Sequence, residues 1–185
     1  MDTALTEAFW HCPHRIFGRK LKPLTLRHCF VLATAGNPLI TWEGIATPSD
    51  LLQAVEICSR DSRFFLDGKR PSWFARQLTG AASLISKDGI PEFIAYLEDY
   101  MAGPSVWAAH GGKKAKAHWV ISTVAGLAHW LHIPIETAWE MSPGAASWLL
   151  ASAIEQSPHG SIDLMSEAEK AIVDEINAGR ANHGN

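Results

Sequence analysis

The run from about Lys116 to Leu131 limits the fold more than any other stretch. Val120, Val124, Leu127 and Leu131 recur at helical spacing and stack on one side of an α-helix. Ile121, Ala125 and Ala128 widen that stripe, and only His118, Ser122 and His129 leave a narrow polar edge. A helix apolar over most of its circumference has to be covered by neighbours on nearly every side, so it belongs near the centre of a bundle.

The rest of the chain supplies helices to do the covering. Leu26, Cys29, Phe30 and Ala33 form an inward stripe over about Thr25 to Ala35, closed by Gly36-Asn37-Pro38. TPSD marks the next start. There Thr47 can cap, Pro48 suits the first turn and Asp50 can complete a capping box ahead of Leu51, Leu52, Val55 and Cys58. A third helix is expected from near Pro71, carrying Phe74, Leu78, Ala81 and Ile85. Asp88-Gly89 reads as a turn into a fourth, PEFIAYLEDYM, closed by Gly103-Pro104. Beyond the central helix, Pro134 is a stop, IETAWEM a short helix, and Ser142-Pro143 the start of another running to about Glu155. SIDLM reads as a connector, and Ser166 caps the last helix. No alternating strand pattern and no repeat is present. The expected fold is all-α, a single globular bundle of seven to nine helices over residues 1–178, with 1–22 loosely ordered and 179–185 a frayed tail.

Length and charge agree with one soluble domain. The 185 residues are 47% hydrophobic, enough for a sizeable core, and the net charge of −3 exerts no global pull toward nucleic acid or anionic membrane. Three cysteines, Cys12, Cys29 and Cys58, suit a reducing compartment better than a disulfide framework. MDTALTEAFWHC has no apolar leader core, and Val120 to Leu131 is too short and too polar to span a bilayer, so a soluble, unprocessed, intracellular chain is expected.

Reactive chemistry finds little support. His11, Cys12, His14, His28 and Cys29 are metal-ligand types, but their spacing matches no zinc signature, and a helix from Thr25 turns His28 and Cys29 about 100° apart. His129 and His132 share a face, yet Pro134 disrupts the approach of Glu136, and a helix end gathers histidines through its dipole. GGKKAK lacks both the spacing and the Ser or Thr of a phosphate loop. No nucleophile, base and acid can be grouped, so no catalytic residue, cofactor or metal is expected. The alternative is a DNA-binding helix-turn-helix over residues 124–141, in TVAGLAHWLHIPIETAWEM. Its second helix offers Glu136 and Glu140 where base and phosphate readers need Arg, Lys, Asn or Gln, so nucleic acid is not the expected partner.

Eight Trp residues favour extensive packing or a protein interface. The best candidates for partner contact are Trp73, Phe74 and Arg76 in GKRPSWFARQL, and Trp107, Lys113 and Lys114 in VWAAHGGKKAKAHW, where the aromatic and basic composition fits an interface.

Two stretches together resemble a family. LKPLTLRHCFVLATAGNPLI followed by TPSDLLQAVEICSRD, and later WVISTVAGLAHWLHIPIETAWEMSPGAASWLLASAIEQ ahead of a polar, acidic C-terminal helix, resemble the tail assembly chaperone-like proteins of bacteriophages and prophages. The likeness covers about residues 22 to 62 and 119 to 170, and the basic aromatic middle has no counterpart in it. It implies a helical, non-enzymatic assembly factor of the bacterial host cytoplasm. Such a factor binds tape measure and tail tube proteins and holds an aggregation-prone partner until it is assembled.

Overall fold

Helix starts in this chain are written in side chains that answer unpaired backbone N–H groups, and the structure, a computed structural model, places them accordingly. It describes residues 9, 13–67, 82–108, 118–157 and 162–183. Helix α1, Leu26–Thr34, is capped by Thr25, which accepts from the His28 N–H while the His28 ring accepts from the Thr25 N–H. Gly36, at φ 68°, turns the chain out of it. Asn37 then caps a one-turn helix α2, Pro38–Thr41. In α3, Pro48–Cys58, Thr47 and Asp50 form the expected capping box. A 3-10 helix, Ser62–Asp67, follows. The later elements are α4 Ala82–Met101, α5 Trp119–Leu131, α6 Ile135–Trp139, α7 Pro143–Glu155 and α8 Glu167–His183. Ser142 caps α7, and Ser166 with Glu169 forms the box that starts α8. The fold is all-α, with eight α-helices among the described residues.

One cluster of buried side chains joins helices α1 to α7. Leu26, Cys29 and Leu32 of α1 meet Leu51, Val55 and Cys58 of α3, Phe93, Tyr96 and Leu97 of α4, and Val120, Val124 and Leu127 of α5. Tyr96 is enclosed and donates its hydroxyl to the Lys22 carbonyl at 2.9 Å, so its polar end is satisfied inside the core. Phe93, Tyr96 and Tyr100 stack along α4 with centroids 5.4 and 5.0 Å apart. Among the described residues, no helix is long and apolar enough to cross a membrane.

The central helix is less enclosed than its composition suggests. It buries Val120, Val124 and Leu127, and Gly126 lets Leu150 of α7 approach, but Ile121 and Ala125 face solvent with Trp119 and Trp130. The number of neighbours, which helical periodicity does not report, limits what an apolar helix can cover.

Four further expectations are corrected. The Asp88-Gly89 turn does not exist: α4 runs unbroken through Gly89 and Pro91. A Cβ at Gly89 would stand 2.4 Å from the Phe17 ring and 2.9 Å from Leu51, so the glycine serves close packing. The segment expected to be loose over residues 1–22 is built into the fold from residue 13 on. Strands β1, Arg15–Ile16, and β2, Arg19–Lys20, pair antiparallel around Phe17 and Gly18, whose φ values of 52° and 73° are those of a tight hairpin turn. Ile16 is fully buried, and Arg19 with Arg60 holds the buried Glu56 carboxylate of α3. At the other end, α8 continues to His183, into the tail expected to fray from residue 179. The SIDLM connector also contains a strand, β4, Ile162–Leu164, paired antiparallel with β3, Val106–Ala108. Strands of two or three residues are too short to show an alternating pattern. The third helix expected from Pro71 falls mostly on residues outside those described.

Candidate partner-binding site

The sequence candidates are reached only in part. Trp73, Phe74, Arg76, Lys113 and Lys114 lie outside the described residues, as do His11 and Cys12. Trp107 is in β3, where its backbone pairs with Asp163, but its side chain is outside the described set.

The remaining metal-ligand types are dispersed into other roles. His14 Nε2 lies 2.6 Å from Asp99 Oδ2, with its ring edge-on to Tyr96. His28 is buried, caps α1 and bonds the Arg60 carbonyl at 3.1 Å. Cys29 and Cys58 are free thiols in the core. Burial pushes the Cys58 thiol up to about 12 and raises Cys29 as well, so neither supplies thiolate near neutral pH. Among the described residues, no three His, Cys, Asp or Glu side chains converge on a metal-sized site.

The corner after α5 is a polar clamp. His132 ends α5 in the left-handed region, and α6 is only five residues long. Arg27 of α1, with its side chain 7% exposed, donates Nε to Glu140 at 3.0 Å and a terminal nitrogen to Glu136 at 2.9 Å, its guanidinium lying 5.6 Å from the Trp139 ring centre. Glu140 also accepts from Ser62 and Arg63. The two acids are therefore engaged with cations inside the molecule. The short α6 presents no basic or amide side chain to a groove, so nothing here adds to the helix-turn-helix alternative.

This network makes stability depend on pH with a definite sign. Burial lowers the His28 imidazole from its ordinary 6.5, outweighing the Arg60 carbonyl and the nearby acids. For Glu56 burial acts upward, but Arg60 and Arg19 overcome it; for Glu140, Ser62 and Arg27 do so, and both carboxyls sit below their ordinary 4.5. All three groups take up protons less readily in the folded chain than in the unfolded one, so stability falls as pH falls. The loss is expected to begin below 6.5 through His28 and to continue below 4.5 through the two glutamates. Thermal melts across this range check it. His28→Gln, which keeps a capping side chain at that position, should remove the first decline and leave the second; a melting temperature constant from neutrality to below 4.5 would refute the assignment.

A different surface has the shape of a binding site, and it centres on Trp42. Asn37 is fully buried, accepts from the Leu39 N–H and donates Nδ2 to the Asp50 carbonyl and to Gln53, which locks α2 against α3. The loop Trp42 to Ala46 is thereby held between two capped helices. Trp42 ends α2 at φ 59°, ψ 20°, a left-handed position that glycine usually fills. A non-glycine residue there costs about 1–2 kcal/mol. Its indole is nonetheless 65% exposed, and Ile45, in the same loop, is 91% exposed. Beside Trp42, Leu97, Glu98, Met101 and Ala102 of α4 and its end complete an open, mainly apolar cleft of about 300 Å³.

TWEGIAT has the local pattern of a plain interhelical loop, so periodicity does not mark this site. The legible signal was a Trp-Glu-Gly-Ile run between a Pro-started helix turn and a capping box, with no apolar stripe to absorb either large residue. No protein family model, curated protein or solved structure matches this chain.

Proposed function

We propose that this chain is a non-enzymatic interaction protein that binds other proteins during phage tail assembly, with the Trp42 cleft as a partner-binding site. The resemblance over residues 22 to 62 and 119 to 170 motivates the assembly role, with tape measure and tail tube proteins as the partners and the bacterial cytoplasm as the setting. The observation that carries the binding role is the conformation and exposure of Trp42. A large aromatic residue occupies a position where glycine would be unstrained, and it leaves most of its surface in water. Scattered exposed apolar residues are ordinary; an exposed Trp on a braced corner, over an apolar floor, has the composition of an interface anchor.

Co-expression of the full chain with phage tape measure and tail tube proteins tests the reading, and co-purification with one of them is expected. Trp42→Gly should leave stability within about 1 kcal/mol of the parent, because relief of strain offsets the lost packing of a mostly exposed ring. The same change should reduce capture by at least about tenfold, the effect of losing an anchor tryptophan. Failure of the parent protein to co-purify with either partner would overturn the assembly role. Undiminished capture by Trp42→Gly would remove the cleft from it.

A further inference from the structure

We infer that the Trp42 cleft recognises a partner-protein segment in which an arginine or lysine stands beside an aliphatic residue. This rests on the cleft being a partner-binding site, as proposed above, and adds the chemistry of what it holds.

Glu98 is the one charged residue among those that line the cleft. Leu97 and Met101 lie one helical turn apart on α4 and form the floor, Ala102 closes one end, and the exposed Glu98 stands at the rim. Glu43 follows Trp42 in the chain and is also exposed. Neither carboxylate is in an ion pair with a cation of the described residues, unlike Glu56, Glu136 and Glu140, which are all paired. Acid at the rim, an indole on one wall and an aliphatic floor are three features that one side chain can meet together. The methylene stem of Arg or Lys covers Leu97 and Met101, its cation faces the Trp42 ring, and the charge reaches Glu98.

A purely aliphatic occupant fits less well. Seating it would strip water from Glu98 without giving the carboxylate a partner, and that desolvation opposes binding. A volume of about 300 Å³ is at the small end for ligand pockets, so the cleft is sized for one or two side chains, and an adjacent aliphatic residue can share the apolar floor of Leu97 and Met101.

The test uses the full chain and fluorescently labelled helical model peptides built of Ala, Leu and Gln, in which a single Arg stands one turn from a Leu. Matched peptides carry Lys, Gln or Glu in place of the Arg. Fluorescence anisotropy is expected to show the Arg and Lys peptides binding about tenfold more tightly than the Gln peptide, with the Glu peptide weakest. Glu98→Gln should shrink the preference for Arg over Gln to about twofold, and Glu98→Lys should shift preference toward the Glu peptide. Trp42→Gly should lose all of them. Equal binding of the Arg and Gln peptides, no binding of any peptide, or Arg binding that survives Trp42→Gly would each overturn the inference. So would a parent protein that runs as a dimer and is made monomeric by Trp42→Gly, since a second copy would then fill the cleft. If natural partners are captured by Glu98→Gln as well as by the parent, yet lost by Trp42→Gly, the charge preference falls and the binding role stands.

Discussion

Gly144→Ala is expected to destabilise the protein by about 2 kcal/mol and to lower its melting temperature by about 6 °C, though it adds a single methyl group to the start of a helix. The new Cβ would lie 2.6 Å from the Ala102 carbonyl oxygen, 3.0 Å from that of Tyr100 and 3.3 Å from the Ala102 carbonyl carbon. These are backbone atoms at the end of α4, so no rotamer change can clear them, and α7 has to move away from α4. Better helix propensity returns at most about 1 kcal/mol. Gly103→Ala is the matched control: its Cβ would meet Ser147 at 3.4 Å, an ordinary contact, and its effect should stay below about 1 kcal/mol. Because Ala102 lines the Trp42 cleft, Gly144→Ala should also weaken partner capture in proportion to the displaced helix end. Thermal or urea melts of the two variants decide it, and equal stability for both would show that α7 does not press on the end of α4.

The second large effect is expected at the clamp. Arg27→Met should cost about 3 kcal/mol, since it removes the nearly buried cation that faces Glu140 and Glu136. Glu140→Gln should cost about 2 kcal/mol, because Arg27 keeps only the exposed Glu136. The double variant is expected to cost about 3 kcal/mol in place of the additive 5, a coupling of about 2 kcal/mol, because neither change leaves the other partner with an uncompensated charge. Denaturant titration of the four proteins closes the cycle, and simple additivity would mean that the contact contributes no net stability. Surface exchanges such as Arg63→Met, whose guanidinium is mostly in water, should stay within about 1 kcal/mol.

The clamp also shows where sequence reading stops. Glu136 and Glu140 were legible as acids on the wrong helix for reading DNA, but their partner Arg27 is 109 and 113 positions away, and no local pattern ties them together. Gly89 was legible as a break because Asp-Gly is a turn signal, and it proved to be a point of close packing because Phe17 and Leu51 arrive from elsewhere. His28 and Cys29 had been set apart by helix geometry so that only one could face a site. Both are buried, the first as a cap and the second as core, because α1 is covered on more than one side. Trp42 was not singled out at all, since nothing local distinguishes a strained, exposed indole from a loop residue.

What the chain's own order of residues determined is therefore the class and the punctuation. Thr25, Thr47, Ser142 and Ser166 start helices, and Gly36 ends one, through bonds spanning five residues or fewer. The stripe Val120, Val124, Leu127 buries its side of α5, since helical period alone aligns those side chains. Tertiary structure alone decided which apolar faces find cover, which acids meet Arg27, and that the end of α4 lies beside Trp42. Those outcomes depend on contacts between residues far apart in the chain, whose positions are set only when the helices pack together.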